Sequence, residues 1–529
     1  MWLPVSWSVN KWLLLFGNVF FGSLLITLTF TNVFPLDPVN FLFFSFIGLL
    51  FALYRPGWAF LLLIGMLPYE HITIAPDGWP LDLRPYQWLL VLILMALLIR
   101  VALKRFPLEK FVLNFWDKLL IVFGVSAGVS ALMSTDQMVA LKISVIIFSF
   151  LLLYFCCRLF VRSVDDARML VPFILSSFMV VACFAIVQNI LFLSGWESLE
   201  VMSGRPNATF AEADWLGGYL AVIIVGMCAF IAFPFATIER VALKRLRFLF
   251  SFFLFVGYVA LLVSVSRSAW LAAFVGILFI VLYFGWQKNV WRSIREWDSF
   301  GLRDSVSVKL YIVAPGLLAL FVVSFFHFTS FDLWDRGKSV TSGEQKITIA
   351  CERLVTLPEK IVSTEALADF GCVHIRLEEK EVKQNVGAYV TEVFRDDPNV
   401  HLRQDIYKKS MAFGREHWFA GIGFGVIGQY LGTDERGVGL NTSNLFLEIW
   451  LGSGLMGIAA FGMLWFGLGY RWLSLGIRQQ NAGALIVGSV WIATTVFNLF
   501  NAGLLLGWFF VFLALLSVVL PVNKTQTYE

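Results

Sequence analysis

The stretch FLFSFFLFVGYVALLVSVSRSAWLAAFVGILFIVLYF, residues 248–284, decides the fold. It holds two apolar runs, each about the 20 residues that a helix needs to cross a bilayer core. Between them, in a short turn, sits a single charge, Arg267. Neither run alternates polar and apolar residues as barrel strands do. In lipid only helices and closed barrels satisfy their own backbone hydrogen bonds. The pair therefore reads as two spanning helices joined by a tight turn.

The same pattern recurs along the chain. Spanning segments are expected at roughly 12–30, 39–54, 57–69, 85–103, 118–133, 139–160, 168–194, 214–234, 247–265, 268–286, 308–328, 444–469, 481–499 and 501–520. The second and third are short and allow a re-entrant pair. The first, Trp12–Phe30, has no cleavage-site pattern after it and reads as a retained helix. Composition agrees: 59% of residues are hydrophobic and 14% are charged, against about 25% charged in a soluble domain. The fold class expected is an all-α polytopic membrane protein of about 12–14 transmembrane helices.

Lys and Arg set an orientation by the positive-inside rule. With the N-terminus in the cytoplasm, the inward connections hold Arg100, Lys104 and Arg105, then Arg158 and Arg162, then Arg240, Lys244 and Arg245, then Lys288, Arg292 and Arg295, then Arg471 and Arg478. Short outward connections hold few: Arg84, Lys142, Arg205 and Arg267. Both termini are expected in the cytoplasm, and the long polar interval 329–443 outside it.

Three regions follow: helices 1–11 over 1–328, the extracytoplasmic loop 329–443, and helices 12–14 with a short tail over 444–529. Within the loop, 340–395 reads as a small α+β insertion carrying Cys351 and Cys372, which are either a disulfide or two free thiols. Residues 401–430 read as a membrane-associated helix and a Gly-rich turn. Leu402, Ile406, Ser410 and Phe413 share its packed face, and Arg403, Lys408 and Lys409 lie elsewhere.

Ionisable residues are nearly absent from the spanning cores, which disfavours an ion-coupled pump. The unusual polar residues cluster at the outward helix ends, in four segments. RPNATFAEADWLGGYL (205–220) brings Arg205, Glu212 and Asp214 to the interface, with Asp214 as the expected helix cap. SVSRSAW (264–270) sets Arg267 at the outer mouth, where its planar donor fork suits diphosphate oxygens. RQDIYKKSMAFGREHWFAGIGFG (403–425) carries Arg403, His417 and three glycines whose default role is bending. NTSNLFLEIWLGSGLMG (441–457) carries Ser443, Asn444 and Glu448, with Ser443 or Thr442 as the cap. No nucleotide-binding loop, H-E-x-x-H or zinc spacing occurs, and nothing points to ATP, a metal or nucleic acid.

Taken in order, these segments resemble the O-antigen ligase and O-antigen polymerase superfamily over roughly Pro172 to Leu520. The S-R-x-x-W turn puts Arg267 in the position of the family's functional arginine. The R-x-x-I-Y and H-W-F-x-G-I-G-F-G stretch puts Arg403 in its second arginine position. The S-N-L-F-L-E-I stretch matches the start of the helix after the large loop, except that Ser443 stands where ligases carry a histidine. The resemblance implies a GT-C-like, metal-independent, cofactor-free glycosyltransferase of the bacterial inner membrane. Its donor would be a glycan on polyprenyl (undecaprenyl) diphosphate and its acceptor a glycan or a lipid, in cell-surface polysaccharide or lipopolysaccharide synthesis with other assembly proteins. Ser443 favours a polymerase over a ligase. Arg205, Arg267 and Arg403 would bind the diphosphate, with Glu212 and then Glu448 as the base. The competing readings are a lipid-linked sugar transporter or flippase and a non-catalytic scaffold.

Overall fold

A computed structural model describes residues 9–518 except 80–81, 106–111, 203, 234–239, 288–298, 330, 332, 334–343, 354, 356–357, 359, 362–364, 376–379, 397 and 434–438. Among the described residues, nine helices are long and apolar enough to cross a membrane, and five more are shorter but apolar. In chain order these are α1 (Val9–Phe30), α2 (Pro38–Tyr54), α3 (Pro56–Met66), α4 (Pro85–Ala102), α5 (Phe115–Leu132), α6 (Gln137–Phe160), α7 (Val164–Leu193), α8 (Ala213–Ala232), α9 (Arg240–Val263), α10 (Arg267–Gln287) and α11 (Ser299–Phe325). The loop region then contributes β1 (Glu344–Cys351), β2 (Lys360–Ile361), β3 (Cys372–His374), α12 (Lys380–Asn385), β4 (Tyr389–Asp396), α13 (Pro398–Glu416) and α14 (Ile427–Leu431). The chain closes with α15 (Leu445–Gln479), α16 (Ala482–Asn498) and α17 (Gly507–Leu516).

Each of the fourteen expected segments coincides with one of these helices, and the chain is a multi-pass membrane protein. Several helices outrun their apolar segments. Helix α9 begins at Arg240, α11 at Ser299, and α15 continues to Gln479. Hydropathy marks where lipid sits, whereas backbone hydrogen bonds continue through the charged turns beyond it.

Helix α8 lies at the centre, packed by α9, α10 and α16. Gly217 on α8 is what admits its neighbours, since a Cβ there would meet the Cβ atoms of Ser266 and Ala269 at 2.7 and 2.8 Å. Helices α9 and α10 share a turn but then diverge. Helix α9 packs on α7 and α11, whereas α10 packs on α16. On the other flank α15 pairs with α5, and α6 with α17.

Two helices are half-length. Helix α3 has 11 residues and α17 has 10, about 16 and 15 Å against a core of roughly 30 Å. Helix α2 reaches the far end, where the Arg100 guanidinium at the foot of α4 donates to the Leu53 carbonyl at 3.1 Å. Helix α2, with 17 residues, is thus longer than α3, which stops short. The segment after α3 consequently sinks between the helices: Tyr69 packs against Gly22, two turns inside α1. Residues 499–506 before α17 sink likewise. The last spanning segment was expected from 501, but Gly503–Leu505 form a single 3-10 turn and the helix starts only at Gly507. There the Asn498 side chain takes the Gly503 N–H at 3.1 Å.

The loop insertion folds into a four-stranded sheet in the order β2-β4-β1-β3. Strand β1 is antiparallel to β3 and β4, and β2 is parallel to β4. Ile347, Ile349 and Cys351 alternate inward on β1 and pack with Ile361, Leu367, Cys372 and Val393. Cys351 and Cys372 stand opposite each other in the register and are joined by a disulfide. A unit of roughly 50 residues buries little core of its own, and such units depend on staples of this kind.

Candidate functional site

One end of the bundle gathers the polar segments. Its floor is the sunken stretch 67–79 with 82–84, its walls are 194–202 and 204–212, the turn 264–266, residues 499–506 and α13, and hydrogen bonds tie these pieces together. The Thr209 hydroxyl donates to the Pro68 carbonyl at 2.6 Å, and the His71 N–H donates to the Thr209 carbonyl at 2.8 Å. The Asn501 amide donates to the Ser268 hydroxyl at 2.8 Å. The Leu499 carbonyl accepts from the Asn444 amide at 3.0 Å and from the Tyr407 hydroxyl at 3.4 Å.

Arg205 and Asp214 form the centre of this wall. Arg205 Nη2 lies 3.2 Å from Asp214 Oδ1, and Arg205 Nε donates to the Ser264 carbonyl at 3.4 Å. The Ser266 hydroxyl bonds the same carboxylate, and the charge of Arg403 reaches it from α13. Asp214 thus pairs with an arginine and does not cap α8. The cap position belongs to Glu212, whose extended backbone (φ −142°, ψ 148°) turns the chain into the helix and whose carboxylate makes no cap hydrogen bond. The turn that presents these groups is itself fixed. Asn207 is buried, donates to the Phe210 carbonyl and accepts the Val201 N–H at 3.2 Å. Burial removes its sequon from any glycosylation machinery.

Arg267 is the first residue of α10 rather than a turn residue. The turn proper is Ser264–Ser266, with Val265 at φ 52°. Arg267 is flanked by two anchored serines, Ser266 on Asp214 and Ser268 under Asn501. Such bracing fixes the start of α10 and with it the root of a long cation.

The packed face of α13 is rotated from the expected one. Ile406 and Ser410 are buried as expected, but Leu402 is 41% exposed. Arg403 and Tyr407, one turn apart, take its place and face the bundle. The Tyr407 hydroxyl donates to the Ser443 and Leu499 carbonyls, each at 3.4 Å. Burial raises the pKa of its phenol, with Arg403 opposing. The structure therefore brings Arg205 and Arg403 to Asp214, with Glu212 two residues before it and the root of Arg267 next to Ser266.

The other sequence-derived residues take different places. Asn444, not Ser443 or Thr442, caps α15, accepting the Phe446 and Leu447 N–H groups at 2.9 and 3.1 Å. Ser443 adopts φ 50° in the preceding turn. Glu448 accepts the Thr442 N–H at 3.0 Å and so closes that turn. His417 ends near Tyr430, with ring centroids 6.2 Å apart, on the α5–α6 flank. Gly421, Gly423 and Gly425 all have positive φ, and they thread a groove. A Cβ on Gly421 would meet the Leu451 carbonyl at 2.5 Å, and one on Gly423 the Ser134 side chain at 3.0 Å. The Gly421 and Ile422 N–H groups are already bonded to the His417 and Leu451 carbonyls. The triplet serves close packing and offers these two donors to no anion.

Sequence reasoning missed the floor. Glu70 is buried, and its Oε1 accepts the Gly507 N–H at 2.7 Å while Oε2 accepts the Tyr86 hydroxyl at 2.9 Å. Arg84 pairs with the same carboxylate and donates to the Leu505 carbonyl at 3.2 Å. The available signal was a Glu-His pair and an Arg in the polar stretch between the third and fourth apolar runs.

Residues 250–462 match the family model described as O-antigen ligase. The match contains Arg267, Arg403, His417, Ser443, Asn444 and Glu448, and stops short of Arg205, Glu212 and the floor. A search of curated proteins finds no match. The match supports an O-antigen ligase/polymerase-type role in polysaccharide biosynthesis, a role that implies lipid-linked glycan substrates.

Proposed function

We propose that this multi-pass membrane protein of the O-antigen ligase/polymerase superfamily transfers or polymerises a glycan from a polyprenyl-diphosphate donor at the outer face of the cytoplasmic membrane. The observation that carries the reading is the convergence of Arg205 and Arg403 on Asp214 beside the braced Arg267. In the reaction an acceptor hydroxyl oxygen attacks the anomeric carbon, and the diphosphate leaves with the bonding electrons. Fixed guanidinium groups at the leaving oxygens stabilise that charge where it develops, with no metal. Asp214 keeps Arg205 in place and prevents the arginines from scattering by mutual repulsion. Glu212, at the N-cap position of α8, engages the acceptor hydroxyl. Glu448 holds its turn instead. Polymerisation is favoured over ligation because Ser443 supplies no imidazole.

Carrying the lipid-linked glycan across the membrane would need a polar path down the bundle. Below the floor the interior is instead filled by stacked rings. Tyr86 lies on Phe150 at 6.5 Å between centroids, and Phe150 on Phe510 at 5.2 Å. The test is purified protein in vesicles with a polyprenyl-diphosphate-linked oligosaccharide. Chain growth or transfer supports the reading. Movement of the substrate between leaflets without new glycosidic bonds overturns it.

A further inference from the structure

The floor, residues 67–79 with 82–84, presents one reactive side chain on a held backbone. Every residue around His71 is held. Glu70 is fixed by Gly507, Tyr86 and Arg84. The Pro68 carbonyl and the His71 N–H both bond Thr209. Ile72 and Ile74 are buried, and the Ile74 N–H donates to the Leu83 carbonyl at 3.0 Å. Only the His71 side chain in the run from Leu67 to Ile72 is exposed, at the mouth rather than in the core. The backbone it is bonded to lies three residues before Glu212, in the segment that also holds Arg205. His417, by contrast, sits on the opposite flank against Tyr430.

We propose that His71 is a further catalytic residue, the group that takes the proton of the acceptor hydroxyl, while Glu212 orients that hydroxyl. The inference rests on the glycan-transfer reading and deepens it. An imidazole nitrogen receives the proton as the acceptor oxygen bonds to the anomeric carbon. The bond from that carbon to the diphosphate oxygen breaks, and its electron pair leaves on the diphosphate, opposite Arg205, Arg267 and Arg403. The imidazolium then returns its proton to water. Packing around the ring, and next the Arg84 charge, lower the pKa of His71 below the ordinary imidazole value, so the ring is a neutral proton acceptor at pH 7. The charged groups facing it are Arg84 at the head of α4, with Glu70 and Asp82 on its own loop. From the opposing segment the His71 N–H meets Thr209, whose chain runs on to Glu212 and to Asp214, where Arg205 and Arg403 converge.

The experiment compares full-length wild type, His71→Gln, His71→Ala and Glu212→Gln in vesicles with a polyprenyl-diphosphate-linked oligosaccharide, recording kcat and KM from pH 5 to 8. Wild type should lose activity in acid with a limb below about 6.5. His71→Gln should lower kcat by about 100-fold or more, leave KM within threefold of wild type and abolish that limb. Added imidazole should restore part of the His71→Ala rate, and Glu212→Gln should keep the limb. Because the scaffold uses only the backbone of His71, both His71 variants should melt with wild type. A His71→Gln enzyme with kcat within threefold of wild type and an unchanged acid limb overturns the inference and leaves the transfer reading standing. A wild type that forms no glycosidic bond overturns both.

Discussion

Asp214 shows how one residue's role depends on a partner nine positions away. An acid in the first turn of α8 favours the helix dipole wherever its side chain points. The Asn207 turn swings Arg205 back onto it, and the pair becomes the anchor for the 264–266 turn. Asp214→Asn keeps the shape and removes the charge. We expect transfer activity to fall about tenfold or more as Arg205 loses its fixed orientation, with a lowered melting temperature; wild-type kinetics would remove Asp214 from the site. Arg267→Ala should lower kcat about 100-fold, and Arg267→Lys about tenfold because an ammonium lacks the planar fork. Equal rates for the lysine variant and wild type would argue against a bidentate diphosphate contact. Glu448 gives the contrasting case. Glu448→Gln retains an acceptor for the Thr442 N–H and should keep activity within threefold of wild type, whereas Glu448→Ala should cost about 1–3 kcal/mol of stability by orphaning that donor. A large loss of kcat in the glutamine variant would return Glu448 to the chemistry. Arg205, Glu212, Arg267 and Arg403 were all legible in the sequence as polar residues at apolar borders. The Glu70–Gly507 contact was not, because it joins positions 437 apart and nothing local encodes it.

At the scale of elements, α15 is broken where the loop enters it. Gly454 has φ 66° and ψ −166° inside the helix. The Leu455 N–H leaves the helical ladder and donates to the Trp418 carbonyl at 2.9 Å, while the Leu451 carbonyl accepts from Ile422 at 2.7 Å. The kink thus exchanges helical hydrogen bonds for bonds to the strand of loop that follows α13. A Cβ at Gly454 would collide with the Phe419 carbonyl. Gly454→Ala should therefore destabilise the protein by about 2–4 kcal/mol, combining a forbidden φ with overpacking, and should expose the 417–425 backbone to protease. Unchanged melting and protection would mean that the loop is held elsewhere. The sequence pattern G-I-G-F-G announced a bend, yet it could not announce the partner, since the groove is built from α5, α6 and α15 together. For the same reason hydropathy located all fourteen apolar helices but misjudged the start of α17: residues 501–506 are mostly apolar, and whether they coil or continue the helix is decided by Asn498 and Glu70.

At the scale of the whole molecule, the orientation expected from charge alternation can be tested chemically. Cys156, Cys157 and Cys228 are buried, and Cys183 faces outward from α7 within its spanning stretch. A membrane-impermeant maleimide applied to spheroplasts should label almost nothing. After reduction it should label Cys351 and Cys372, whose disulfide is of the kind that persists in oxidising compartments. Labelling confined to inverted vesicles would reverse the topology and move the site to the other membrane face. The divergence of α9 and α10 beneath Arg267 has a kinetic consequence. On the proposed reading a long-chain donor slides in sideways, so the enzyme searches a sheet rather than a volume. Diluting a suspension of vesicles at fixed donor content leaves each enzyme's rate untouched, while thinning the donor with inert lipid slows it in proportion. On that reading the meaningful substrate unit is a mole fraction of the membrane.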